Sequence, residues 1–142
     1  MNGRDAGSGQ AAWSHGVLRE VAAVLADTDH GLTGREIGDL LARLRMTDPL
    51  AGATKRDRLT EAFIARQNTD RSPKRIITFI THAMEPVRYR DRPELFTLRQ
   101  DRLNERLAFV GLHVNDKGQV ARGARAQTLD EPSGAAARSA RS

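Results

Sequence analysis

Apolar residues recur along the middle of this chain at helical spacing, and polar breaks rich in Gly, Pro, Asp and Ser divide them into five segments. The first begins after Ser14, where Val17, Leu18, Val21, Val24 and Leu25 form a stripe with a period of about 3.6 residues. Asp27-Thr-Asp-His-Gly31 breaks it. The second segment has the strongest local signal. Thr33 and Glu36 match the T-x-x-E capping box, Leu32 and Ile37 match its hydrophobic staple, and Ile37, Leu40, Leu41 and Leu44 supply an apolar face. This helix should end near Arg45, ahead of Asp48-Pro49, with Gly38 permitting close helix approach.

A third helix is predicted after Thr54, burying Leu59, Ala62 and Phe63, with Asn68 to Ser72 interrupting it. Ser72 then caps a fourth helix, with Pro73 at the first position, where a missing amide costs nothing. Ile76, Ile77, Phe79, Ile80 and Met84 make that helix apolar on more than one side and place it at the centre of a bundle. Glu85-Pro86 stops it. The fifth opens around Asp91 to Glu94 and is expected to bury Phe96, Leu103, Leu107 and Val110, with Gly111 as a left-handed cap. Leu112-His-Val114, the turn residues Asn115 to Gly118, and Gln119-Val120 then read as a hairpin. The predicted fold is mainly α, a five-helix bundle with a short C-terminal β-hairpin over 13–122. Residues 1–12 and 123–142 hold too little apolar surface to offset the entropy of ordering, and are expected to be disordered or extended tails.

Composition narrows the functional classes. The 142 residues include no Cys, which excludes a disulfide framework, a thiolate zinc site and cysteine catalysis. The hydrophobic share of 39% is below the usual value of about 45–50%, and the two tails account for most of the shortfall. No apolar run approaches the roughly 18–20 residues of a membrane span, and Met1 to Gln10 lacks the order of a signal peptide. A soluble cytoplasmic protein is expected, with no membrane contact. Of 23 basic residues only Lys55, Lys74 and Lys117 are Lys, leaving 20 Arg. That excess suits bidentate phosphate recognition and equally a GC-rich codon bias.

The net charge of +5 is unevenly spread: −2 over 1–53, +4 over 54–75, +1 over 76–120 and +2 over 121–142. Lys55, Arg56, Arg58, Arg66, Lys74 and Arg75 are therefore the candidate contact face for nucleic acid or an acidic partner, because phosphate neutralisation supplies most non-specific nucleic-acid affinity. A helix-turn-helix reading of the second and third helices is opposed by the eight-residue connection Met46 to Ala53, since that motif turns in about three or four. Tyr89, between Arg88 and Arg90, is the one candidate for an exposed stacking aromatic. Trp13 is expected to anchor the first helix on the bundle, with partner contact as the alternative.

Set in order, Leu32-Thr-Gly-Arg-Glu-Ile-Gly38, Asp48-Pro49, Thr54 to Leu59, Ala65-Arg-Gln67, Ala83 to Tyr89, Pro93 to Phe96, Leu103 to Leu112 and Thr128 to Glu131 resemble the N-terminal region of the Ymh-type bacterial protein family. That family occurs near phage and mobile-element genes and has no defined biochemistry. The resemblance implies an accessory or interaction module linked to antiviral defence. It also implies a longer C-terminal helical domain, and this sequence is expected to be either a stand-alone version without that domain or a fragment, so no activity of the domain carries over and no catalytic residue maps here.

Enzymatic chemistry has one candidate. Arg75 and His82 make Arg-x6-His, similar to the Arg-x4-6-His of HEPN-class ribonucleases, where His is the acid/base and Arg stabilises phosphorane charge. The competing reading is two cations at helix ends. His15, His30 and His113 are scattered, so no metal is expected. Phosphate-loop, dinucleotide and nucleophile-elbow motifs do not occur, so no cofactor or small-molecule substrate is evident. The sequence therefore favours a non-enzymatic module with a protein partner or self-association, ahead of nucleic-acid binding.

Overall fold

A computed structural model describes residues 11–123. Residues 1–10 and 124–142, which hold most of both expected tails and the Thr128 to Glu131 end of the family resemblance, lie outside the described residues. The elements are α1 (His15–Leu25), α2 (Gly34–Arg43), α3 (Lys55–Asp70), α4 (Lys74–Ala83), a 3-10 turn (Pro86–Tyr89), α5 (Pro93–Leu107), a second 3-10 turn (Ala108–Val110), β1 (Leu112–Val114) and β2 (Val120–Arg122). The chain is thus five helices followed by an antiparallel hairpin in the register Leu112↔Arg122, His113↔Ala121 and Val114↔Val120. No helix among the described residues is long and apolar enough to cross a membrane.

Local chemistry sets most boundaries. Ser14 Oγ accepts from the Val17 amide at 3.1 Å and starts α1. Both halves of the Thr33/Glu36 capping box form at α2. Between these helices the Asp27 carboxylate accepts from the Asp29 and His30 amides, folding the connection into a tight turn. Gly31 is required there, because a Cβ would run into the Asp27 backbone.

Two boundaries differ from expectation. α3 continues through Asn68 and Thr69 to Asp70, because its last turn is held by the Arg66–Asp70 ion pair at 2.6 Å and by Thr69 donating to the Ala65 carbonyl. It ends only at Arg71, whose φ of 58° is left-handed. That turn displaces the next entry by one residue. Pro73 occupies the cap of α4 rather than its first turn, and Ser72 Oγ accepts from the Lys74 amide at 3.2 Å.

The core runs through α1, α3 and α4, with Phe63 and Phe79 edge to face at 5.2 Å. α4 buries five of its ten residues, as its all-round apolarity predicts. The hub, however, is α3, which packs on α1, α2 and α4. The first helix is fastened to it by a reciprocal pair, the Trp13 amide donating to Gln67 Oε1 and Gln67 Nε2 to the Trp13 carbonyl. Leu103 and Leu107 of α5 are buried as expected, but Phe96 and Val110 are only half-buried, while Arg99 and Gln100 take interior positions. The hairpin is stapled to α5 by side-chain amides: Asn104 bonds both the amide and the carbonyl of Val114, and Gln100 bonds the same carbonyl.

Candidate functional site

The six basic residues of 54–75 do not form one open face. Lys55 Nζ donates to the Asp27 and Leu32 carbonyls at 3.0 and 2.9 Å, tying the α1–α2 connection to the start of α3. Arg58 grips both oxygens of Asp48 and donates Nη1 to the Gly34 carbonyl. The Asp48 carboxylate raises the Arg58 pKa further above its already high ordinary value. Gly38 makes room for this guanidinium, since a Cβ there would stand 2.9 Å from Arg58 Nη2. Its role is therefore to admit a side chain, not a neighbouring helix backbone. Arg66 pairs with Asp70, and Arg75 donates to the Leu44 carbonyl at the end of α2. Four of the six thus clamp helix ends and loops, Lys55, Arg58 and Arg75 through backbone carbonyls and Arg58 and Arg66 through carboxylates. Only Arg56 and Lys74 stay exposed.

The exposed cations fall elsewhere. Arg75 draws the end of α2 to the start of α4, and around that junction Arg43, Arg45, Arg71 and Lys74 are exposed. Arg45 and Arg71 both have left-handed backbones, at φ 57° and 58°. Sequence reasoning missed Arg43 and Arg45 because they belong to the net-acidic stretch; a segment's net charge does not say which charges meet in space.

Arg75 and His82 stand two turns apart on α4, roughly 10 Å along the axis. Arg75 is engaged by the Leu44 carbonyl, whereas His82 Nδ1 is buried without a hydrogen-bond partner, with Glu85 Oε1 3.9 Å away. Among the described residues no group of His, Asp or Glu is arranged to hold a metal.

Both aromatic anchor candidates face inward. Trp13 is 3% exposed and Tyr89 is 4% exposed, so neither offers a ring to a partner. The expectation of an exposed Tyr89 fails because its flanking arginines turn outward or along the surface while the ring turns under α4. Its hydroxyl donates to the Ala83 carbonyl at 2.8 Å, and Phe96 meets its ring edge to face at 5.3 Å. Burial raises the Tyr89 pKa, against an opposing pull from Arg99. Arg99 is itself buried and has no carboxylate partner among the described residues. It donates Nη1 to the Tyr89 hydroxyl and Nη2 to the His30 carbonyl, its guanidinium lies 5.4 Å from the Tyr89 ring centre, and Nε is left without a partner.

The clearest apolar surface feature is Phe109, 83% exposed. α5 ends at Leu107, and Phe109 lies in the 3-10 turn that follows, off the face on which Leu103 and Leu107 are buried. Phe109 borders a groove of about 550 Å3 between the first turns of α1 and the end of α5. Gly16 and Val17 lie along that groove, and Arg106 is fixed at its rim by Glu20 at 3.4 Å and Glu105 at 2.8 Å.

The fold and surface together define a five-helix bundle with a C-terminal hairpin and an apolar groove beside a projecting phenyl ring. No family model, curated protein or solved structure matches the chain.

Proposed function

We propose that the protein is a non-enzymatic interaction module that docks through the Phe109 patch, and that it serves a bacterial phage-defence or mobile-element system, the setting implied by its resemblance to the Ymh-type family. The observation that carries the docking reading is the 83% exposure of Phe109 at the edge of the α1–α5 groove. Burying such a ring is worth about 1.5–3 kcal/mol, which a partner covering it would gain. A second copy of the chain suits the patch best. Projection and groove share one face, and a two-fold axis then seats each ring in the partner's groove.

Sedimentation equilibrium tests this. The wild type is expected to dimerise reversibly, and Phe109→Ser to stay monomeric without loss of thermal stability. A wild-type monomer at about 100 µM, where a micromolar dimer would be nearly complete, would sink the reading.

A second reading, nucleic-acid binding, is favoured by the exposed Arg43, Arg45, Arg71 and Lys74 around the α2–α4 junction. It requires a steep fall of log K with log salt on a random duplex. Replacing Arg43, Arg45 and Lys74 by Ala should flatten that slope by about 0.9 for each phosphate that is no longer neutralised. Absence of duplex binding at low salt rejects it.

A further inference from the structure

Every described residue with a positive φ is glycine except two, Arg45 at 57° and Arg71 at 58°. Gly111, Gly118 and Gly123 take this conformation at the hairpin and its approach, as suits a residue without a Cβ. An L residue there crowds its Cβ against the following carbonyl oxygen, so helices commonly place glycine just past their last turn. Arg45 follows the end of α2, and Arg71 caps α3. Both helix ends thus carry arginine where glycine would be less strained.

The two arginines meet at one place. Arg75, in the first turn of α4, donates to the Leu44 carbonyl, which brings the end of α2 beside the entry to α4. Arg71 enters the same junction from α3, just ahead of Lys74. The exposed cations there, Arg43, Arg45, Arg71 and Lys74, make no ion pair or side-chain hydrogen bond among the described residues. Asp48 and Asp70, the carboxylates nearest Arg45 and Arg71 in sequence, are taken by Arg58 and Arg66. Asp39, one turn before Arg43, is exposed and forms no ion pair among the described residues.

Charge is what this surface offers. The exposed large apolar residues among those described, Leu50, Val87 and Phe109, lie outside segments 43–45 and 71–74, and Trp13 and Tyr89 are buried. With no ring to stack on a base, a single strand gains nothing here beyond its phosphates. With no apolar side chain to insert, a lipid surface is held by charge alone. A duplex presents one phosphate for about every 1.7 Å of its axis, and a guanidinium grips a phosphate with two parallel hydrogen bonds.

We propose that the α2–α4 junction binds the phosphate backbone of a nucleic-acid duplex without reading its bases, and that Arg45 and Arg71 are its contact pair. Strained backbone persists where the side chain it carries is needed, and here the two strained residues are both arginines at one unpaired basic surface. This assignment rests on the nucleic-acid reading above and adds the residues that carry it and the double-stranded form of the ligand. A helix C-terminus also favours a cation on electrostatic grounds, and that alternative predicts the opposite change in stability when glycine is substituted.

The test compares the full chain with the double variant Arg45→Gly plus Arg71→Gly, by anisotropy of a labelled random duplex across a salt series and by urea unfolding. The variant is expected to be at least as stable as the wild type and to bind the duplex about tenfold or more weakly at low salt. Its slope of log K against log salt should flatten by about 0.9 for each lost phosphate contact. Arg35→Ala plus Arg92→Ala removes the same charge from exposed positions outside the junction and should bind as the wild type does. The matching single strand and phosphatidylserine vesicles are expected to bind more weakly than the duplex. Loss of stability in the glycine variant identifies the arginines as helix caps and overturns the proposal. Equal binding by the single strand or the vesicles, or an equal loss in the Arg35 and Arg92 variant, also overturns it. Duplex binding that survives the glycine variant but not Arg43→Ala plus Lys74→Ala rejects the contact pair alone. No duplex binding at low salt rejects the nucleic-acid reading with it.

Discussion

Two buried or half-buried guanidiniums hold this bundle together by different means. At the α2–α3 seam, Arg58 faces a carboxylate, with side-chain exposures of 15% for Arg58 and 27% for Asp48, and the pair sits close enough to water to be partly solvated. At the α5 seam, Arg99 is 4% exposed and is met only by a hydroxyl, a carbonyl and an aromatic ring. A carboxylate offsets the cost of removing a cation from water far better than neutral dipoles do. Depth of burial and contribution to stability therefore run in opposite directions here. Arg58 is expected to be the more stabilising residue although it is the less buried.

The largest effect is expected from Tyr89→Phe, which leaves the Ala83 carbonyl and Arg99 Nη1 without their shared partner in a dry site. It should cost about 2–3 kcal/mol in urea unfolding, and a cost below about 1 kcal/mol would show that Arg99 finds another acceptor. Arg58→Met strands Asp48 and the Gly34 carbonyl. Both can recruit water, so the expected loss is about 1–2 kcal/mol. Arg99→Met removes a buried charge without a counter-ion and fills its volume with a flexible apolar chain, and should fall within about 1 kcal/mol of the wild type. If Arg99→Met proves costlier than Arg58→Met, the contrast between the two seams is wrong.

The smallest effect concerns the turn that presents the His30 carbonyl to Arg99. The His30 amide, helped by that of Asp29 and by the positive charges of His30 and Arg102, holds the Asp27 carboxyl below its ordinary 3.8 against a desolvation cost. A carboxyl with a lowered folded pKa adds stability that is complete above 3.8 and disappears as the pH falls through the folded value. Asp27→Asn should therefore lower stability slightly at neutral pH, lose that difference from the wild type as the pH falls below 3.8 and so flatten the pH dependence there, which acid titration of the melting temperature would check.

Much of the architecture was legible because its causes are local. The Thr33/Glu36 box, the Ser14 cap, the Gly111 turn and the Asn115 to Gly118 turn each depend on residues within four positions of one another. The end of α3 misled for a related reason. Asn68, Thr69 and Asp70 resemble a break, yet the Arg66–Asp70 pair keeps that turn wound. The functional surface was less legible. Phe109 falls off the Leu103, Leu107 and Val110 stripe, but the groove it borders is made by α1 packing beside the end of α5, far from it in sequence.

What the sequence by itself determined is the run of five helices and a hairpin, since periodicity, caps and turn residues act over a few neighbouring positions. What only the tertiary structure decided is the fate of the charges. Arg58 meets Asp48 across ten positions, Arg75 meets Leu44 across 31, and Arg99 meets His30 across 69. A guanidinium left in water and one that closes a helix end are the same letter in the chain. They differ in the carbonyls and carboxylates that packing brings within hydrogen-bond reach, and no short-range pattern encodes those distances.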